Sequence, residues 1–115
     1  MVMKTVENEI NEIVVNNLEL ENYIRKNYPK FSIISSTTKC LKDPNKSLDE
    51  LKKDYKYVCL DYNLNKNWEY LNTIPEELKN KTEFLVNAIC PPNCPNRKEH
   101  YRLNGLSHLN FGKSY

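Results

Sequence analysis

Four short runs of β-branched and apolar residues, separated by helical stretches, place the strongest constraint on the fold of this chain. The runs are EIVVN (12–16), FSIIS (31–35), YVCLD (57–61) and EFLVN (83–87). Each is nearly continuous rather than alternating, which is typical of strands that are buried on both faces of a parallel sheet. A chain of 115 residues has room for one domain. The pattern therefore predicts a single α/β domain.

Helical segments lie between these runs. NLELENYIRKNY, SLDELKK and NWEYLNTIPEELKN carry apolar residues at helical spacing. Ser47 and Glu50 match the Ser-x-x-Glu capping box, so the second of these helices is expected to begin at Ser47. Strand and helix alternate at about 25 residues per unit, the rhythm of repeated βα units with right-handed crossovers. We predict about four such units around one parallel sheet.

The predicted α/β domain covers residues 1–102 and is followed by a C-terminal tail over 103–115. The tail, LNGLSHLNFGKSY, has no clear hydrophobic period. We expect a loosely packed arm, as is common at chain ends. Its apolar residues Leu106, Leu109 and Phe111 are candidates for docking on a partner.

Charge and composition exclude several classes of function. The net charge is only +2 and the lysines are interleaved with acids, so no nucleic-acid surface is predicted. Both glycines follow residue 104, and no glycine-rich loop is left to cradle a nucleotide. No apolar run is long enough to cross a membrane, and the N-terminus does not resemble a signal peptide. We expect a cytoplasmic protein, in which cysteines are more often free or metal-bound than paired as disulfides.

Small polar or acidic residues follow each apolar run at its carboxyl end. In a parallel sheet these ends meet at one edge, where ligands bind. We expect the site there, with Asp61 as the candidate catalytic acid. The candidate ligand-binding residues are Asn16, Ser36, Asn87 and Arg97. Most of these residue types also cap helices and form turns, which is the alternative interpretation.

The stretch NAICPPNCPNRKEHY concentrates reactive side chains. Cys90 and Cys94 are separated by three residues, and Pro95 is expected at the first position of a helix. Cys94 would then be the N-cap, where the helix dipole favours the thiolate. Cys40 and His100 are the further candidate metal ligands. Three interpretations stay open: an iron–sulfur or zinc site, a redox or catalytic thiol, and a rigid turn with structural cysteines.

The succession IVVNNLELENYIRKNYPKFSIISSTTK, YVCLDYNLNKNWEYLNTI and EFLVNAICPPNCPNRKEHY resembles the later βα units of TIM-barrel proteins related to the collagenase-like peptidase superfamily. The resemblance covers roughly residues 10–102 and is most specific over 87–101. In those proteins a late strand runs into a Cys-Pro-x-x-Cys-Pro loop. Some members hold an iron–sulfur cluster on four cysteines, and others are described as peptidases. The resemblance implies ligand roles for Cys90 and Cys94.

A complete barrel of eight βα units needs about 250 residues, so this chain would form half of one. A half barrel leaves two sheet edges unpaired. We therefore expect the chain to pair with a second copy of itself or with a partner chain that completes the sheet; the alternative is that it persists as a small open sheet. The alternative function is a non-catalytic interaction or self-association module, derived from a truncated or degenerate barrel.

Overall fold

The computed structural model describes residues 2–88 and 90–110 and contains a four-stranded parallel sheet. The strands β1 (Glu12–Val15), β2 (Ser32–Ser35), β3 (Tyr57–Leu60) and β4 (Thr82–Phe84) lie in the order β1-β2-β3-β4. Each pairs in parallel with the next. Consecutive parallel strands joined by helices are the arrangement of half a TIM-type barrel. The predicted α/β fold class is confirmed.

Helices connect the strands and flank the sheet. They are α1 (Val2–Val6), α2 (Leu18–Asn27), α3 (Pro44–Leu51), α4 (Trp68–Thr73), α5 (Glu76–Lys79) and α6 (Arg97–Leu109). The helix predicted over NWEYLNTIPEELKN is divided into α4 and α5, because the residue before Pro75 is extended, with φ −70° and ψ 124°. Two short 3₁₀ turns, Thr37–Lys39 and Tyr62–Leu64, follow β2 and β3. Within the described ranges, no helix has the length and apolar character needed to cross a membrane.

The hydrophobic core lies between the helices and one face of the sheet. Its buried members are Val15, Ile24, Tyr28, Phe31, Ile33, Leu51, Tyr55, Val58, Leu60, Leu64, Tyr70 and Ile74. Successive strand residues point to opposite faces, so Val14 lies on the other face from Val15. Val14 is 61% exposed, whereas Val15 is 2% exposed. The expectation that both faces are buried is therefore wrong at β1.

A buried acid lies in the layer between the sheet and the helices. The carboxylate of Glu50 on α3 accepts hydrogen bonds from Ser35 Oγ at 2.8 Å, Lys39 Nζ at 2.5 Å and Lys53 Nζ at 3.0 Å. Its side chain is only 5% exposed. The carboxylate thus binds side chains from the end of β2, from the turn after it and from just beyond α3.

The start of α3 differs from the prediction. The helix begins at Pro44 and is capped by Asp43, so Ser47 and Glu50 do not form a capping box at its first turn. Ser47 is 1% exposed and its hydroxyl lies 2.8 Å from the Tyr70 hydroxyl, which donates to it. Instead of capping the helix, the Ser47 side chain binds Tyr70 on α4 and the Glu50 side chain binds Ser35 on β2.

Within the predicted tail, residues 103–109 belong to helix α6, which the sequence pattern did not predict. Helix α6 begins at Arg97 with Asn96 as N-cap, which also corrects the prediction that Cys94 is the N-cap. Arg97 is its one buried residue. Leu109 near its end is 81% exposed, and Phe111 lies outside the described residues. The hydrophobic pattern is weak because α6 buries little along its length.

Candidate metal centre

Cys90, Cys94 and His100 form a compact group after β4. Their ligand atoms, two Sγ atoms and one imidazole nitrogen, all lie within 4.8 Å of one another. Cys90 Sγ is 3.7 Å from His100 Nδ1. The cysteines are partly buried and His100 is exposed. Among the residues that the structure describes, this is the one group of its kind close enough to share a metal ion.

The local sequence brings these ligands together. The loop between the cysteines turns at Asn93, whose φ of 57° lies in the left-handed region that asparagine tolerates. The N–H of Cys94 donates to the Pro91 carbonyl at 3.3 Å, and the N–H of Arg97 donates to the Cys94 carbonyl at 3.4 Å. Helix α6 therefore starts directly after the loop. His100 falls within the first turn of α6 and faces the loop that precedes the helix.

The segment that follows β3 holds the cysteine loop in place. The Tyr62 hydroxyl donates to the Pro91 carbonyl at 3.0 Å, and Asn63 Oδ1 accepts from the Asn93 N–H at 2.8 Å. Sequence reasoning missed Tyr62, because its acceptor is a backbone group 29 positions away. The one available signal was the position of DYNLN, an Asn- and Asp-rich stretch at a strand end.

Asp61 and Arg97 form a buried ion pair next to this segment. Their side chains are 0% and 4% exposed. Asp61 Oδ1 also accepts from the Asn63 N–H at 2.9 Å. Burial alone would lower the pKa of Arg97, but the hydrogen bond and charge of Asp61, with a smaller contribution from Cys40, outweigh it and raise that pKa. The guanidinium is therefore stabilised in its charged form despite its burial.

The Arg97 guanidinium also lies over the Tyr62 ring, with its central carbon 4.4 Å from the ring centroid. Its Nη1 atom is buried without a hydrogen-bond acceptor in the described part of the chain. The ring face offers that charge a cation–π contact instead. Arg97 was predicted to bind a ligand, but its guanidinium instead contacts Asp61 and Tyr62.

Asp61, the candidate catalytic acid, has the capping contacts that the alternative interpretation of these strand-end residues expected. It caps the 3₁₀ turn after β3 and neutralises Arg97, and it is 2% exposed. Its carboxylate is closed to solvent in this conformation.

Three of the four predicted metal ligands come together, and Cys40 does not join them. Cys40 follows the turn Thr37–Lys39 with a φ of 56°, and its thiol donates to the Thr38 carbonyl at 3.5 Å. This left-handed backbone directs the side chain into the protein, where it is 8% exposed. Cys59 is also separate, because it lies on β3 opposite Glu83. Burial, followed by the Glu83 carboxylate, raises the pKa of the Cys59 thiol.

The remaining predicted ligand-binding residues lie at different places along the carboxyl edge. Ser36 caps the turn after β2 by accepting from the Thr38 N–H at 3.1 Å. Asn16, at the end of β1, donates from Nδ2 to Thr38 Oγ1 at 2.7 Å. Asn87 is exposed and lines the same cleft as Cys90. Of these three predicted residues, Asn87 is the one placed beside the cysteine group.

A cleft of about 480 Å³ opens beside Cys90 and His100. The rest of its lining consists of Tyr62, Leu85, Asn87, Ala88, Tyr101 and Asn104. No Asp, Glu, Lys or Arg is among these described lining residues. Asn65 fixes one wall by donating to the Leu85 carbonyl at 2.8 Å. The described lining of the cleft thus combines aromatic and amide groups with the Cys90 thiol and the His100 imidazole.

No family model, no curated protein and no solved structure matches this chain. The fold and the geometry of the cysteine group are therefore the features that bear on its function.

Proposed function

We propose that this protein binds a zinc ion through Cys90, Cys94 and His100, with a fourth coordination position that faces the cleft. The observation that supports this is the convergence of the three ligand atoms within 4.8 Å. Zinc binds thiolate sulfur and imidazole nitrogen with tetrahedral geometry. Sites with three protein ligands and one exchangeable ligand are typical of catalytic rather than structural zinc.

The ligand set favours zinc over an iron–sulfur cluster. Clusters are generally held by four cysteine thiolates. The group has two cysteines, and Cys40 and Cys59 lie elsewhere, at the end of the turn after β2 and on β3. A cluster at this position needs thiolates from a second chain. A single zinc ion needs none.

A zinc ion with an exchangeable position supplies Lewis-acid chemistry, either to a bound water or to a carbonyl group. The cleft suits an uncharged part of a substrate, because its described lining has amide, phenol and aliphatic groups beside Cys90 and His100 but no Asp, Glu, Lys or Arg. Tyr62 and Asn63 contribute by holding the cysteine loop, as outer-shell residues do in other metal sites. We therefore favour a hydrolytic enzyme as the activity to be tested.

We propose that the chain corresponds to half of a TIM barrel related to the collagenase-like peptidase superfamily, with its Cys-Pro-Pro-Asn-Cys loop after β4. The supports are the order of four parallel strands and the position of this loop. The four cysteines are free, as is usual in a reducing compartment, and a cytoplasmic location is part of the proposal.

The decisive experiment is metal analysis of the full chain purified without added metal or chelator. Zinc and iron are measured by mass spectrometry in the wild type and in the Cys90→Ser/Cys94→Ser variant. Cys59→Ser is the matched control, because it removes a partly buried thiol that lies outside the group.

We expect about one zinc per chain in the wild type and in Cys59→Ser, and none in the double variant. Detection of iron together with acid-labile sulfide would instead show that the site holds an iron–sulfur cluster. Zinc retained by the double variant, or absent from all three proteins after reconstitution with zinc, would refute the site.

A second candidate function, self-association, is favoured by the sheet. In the described part of the chain β1 pairs with β2 alone and β4 with β3 alone, so each has one unpaired edge. Val14 is exposed beside one of them. Two copies would supply eight parallel strands, the number in a closed barrel. Light scattering across a range of protein concentrations tests this, with Val14→Lys as the variant expected to remain monomeric.

A further inference from the structure

A second cleft lies on the other side of Tyr101 and differs in charge from the first. It has a volume of about 390 Å³. Its lining consists of Asn16, Thr38, Lys39, Lys98, Tyr101 and Arg102. Asn16 and Thr38 come from the carboxyl ends of β1 and β2, and the last three residues come from α6. Three of the six lining side chains are cationic, and none is acidic.

The carboxylates near this cleft do not cancel its positive charge. Glu50 binds both Lys39 and Lys53. Glu99 binds Arg102 through two contacts, at 2.9 and 2.6 Å. Of the three cations that line the cleft, Lys39 and Arg102 are paired with these two carboxylates, and the charge of Lys98 is left as an excess of one.

Donors remain free in the cleft. Lys98 has no hydrogen bond or ion pair with any other described residue, and it is exposed. Arg102 uses Nε and Nη2 for Glu99, so the Nη1 donors of its five-donor guanidinium remain available. Asn16 uses one amide hydrogen for Thr38 and keeps the other. An oxyanion in the cleft thus finds charged and neutral donors from two elements of the structure.

We propose that this cleft binds the phosphate group of a soluble phosphomonoester. A phosphomonoester has three acceptor oxygens and a charge of about −1.5 to −2 at neutral pH, so it can accept from Lys98, Arg102 and Asn16 together. A carboxylate brings half that charge. This site is independent of the proposed zinc site, since it shares with the first cleft only Tyr101.

The test is calorimetric titration of the full chain with inorganic phosphate and with glycerol phosphate, at low and at moderate salt. Lys98→Gln and Arg102→Gln each remove one cation from the cleft. Lys26→Gln is the matched control, because it removes an exposed lysine near the end of α2, away from the carboxyl edge. The same titrations in Cys90→Ser/Cys94→Ser separate this binding from phosphate bound to a metal.

We expect saturable binding that is retained in the double cysteine variant and in Lys26→Gln. Lys98→Gln and Arg102→Gln should each weaken it about tenfold, the loss of one charge-assisted hydrogen bond. If Lys26→Gln weakened phosphate binding as much as the two cleft variants, the binding would depend on the net charge of the protein, and the proposal would be overturned.

Three further outcomes contradict the proposal. Loss of binding in the double cysteine variant would assign phosphate to the metal centre. Sedimentation with phosphatidic acid vesicles, without binding of either soluble phosphate, would make the cleft a lipid headgroup site. Absence of binding in every arm would refute the cleft as an anion site.

Discussion

Asp61 and Arg97 lie 36 positions apart and form an ion pair that joins the end of β3 to the first residue of α6. Both side chains are almost completely buried. No other described residue of α6 is buried. The docking of α6 at the carboxyl edge of the sheet therefore depends heavily on this one pair.

Removing one partner leaves the other charge buried and unpaired. We predict that Arg97→Met lowers the free energy of unfolding by about 3–5 kcal/mol, measured by urea denaturation. Arg102→Met is the control, since its pair with Glu99 is exposed and exposed ion pairs contribute little to stability. The double variant Asp61→Asn/Arg97→Met should be more stable than Arg97→Met alone. Equal costs for Arg97→Met and Arg102→Met would contradict the role of the pair.

Acid should destabilise the fold through Glu50. Burial raises the pKa of this carboxyl, but hydrogen bonds from Lys39, Lys53 and Ser35 outweigh it and lower the pKa from 4.5 to about 2. The stabilisation is complete above pH 4.5 and is lost as the pH falls toward 2. It amounts to about 3 kcal/mol at most. Glu50→Gln should make the free energy of unfolding depend less on pH over this range. The control Glu69→Gln, at an exposed position, should show the same pH dependence as the wild type.

The Tyr62 hydroxyl should affect zinc affinity without contacting the metal. Tyr62→Phe keeps the ring under Arg97 but removes the hydrogen bond to the Pro91 carbonyl. We expect zinc affinity to fall about tenfold, as it does when outer-shell contacts are lost. Competition with a chromophoric chelator measures it, and Tyr57→Phe on β3 is the control. An unchanged affinity would mean that the cysteine loop keeps its shape unaided.

The hydroxyl pair in the core should show coupling. Tyr70→Phe leaves the buried Ser47 hydroxyl without its donor and should cost about 1 kcal/mol. In the double variant with Ser47→Ala no unpaired group remains, so the second substitution should add little. The check is a double-mutant cycle on free energies of unfolding, and strictly additive costs would argue against the hydrogen bond.

The strands and the fold class were predictable because they depend on local sequence. Each apolar run forms a strand close to its expected position, although β4 starts at Thr82 and ends at Phe84, earlier than predicted. Cys90, Cys94 and His100 were also predictable as a group, since eleven positions of chain contain all three. Such proximity in sequence leaves few ways to keep the side chains apart.

Contacts between distant parts of the chain were not predictable in the same way. Ser47 and Glu50 match a helix-start pattern, yet Tyr70 and Ser35 bind them in the core. Asp61 was predicted as the candidate catalytic acid, with helix capping as the alternative. Its ion pair with Arg97 was not predicted, because the two residues lie 36 positions apart. A polar residue at a strand end becomes either a site residue or a structural one according to what the tertiary fold places beside it.

His100 lies three residues after Arg97, in the same first turn of α6. Arg97 attaches the start of α6 to the sheet, and a zinc ion bound by His100 and the two cysteines would attach the same turn a second time. Occupancy of the metal and docking of the helix would then be thermodynamically linked. By reciprocity, the free energy with which zinc stabilises the docked helix equals the free energy with which docking strengthens the binding of zinc.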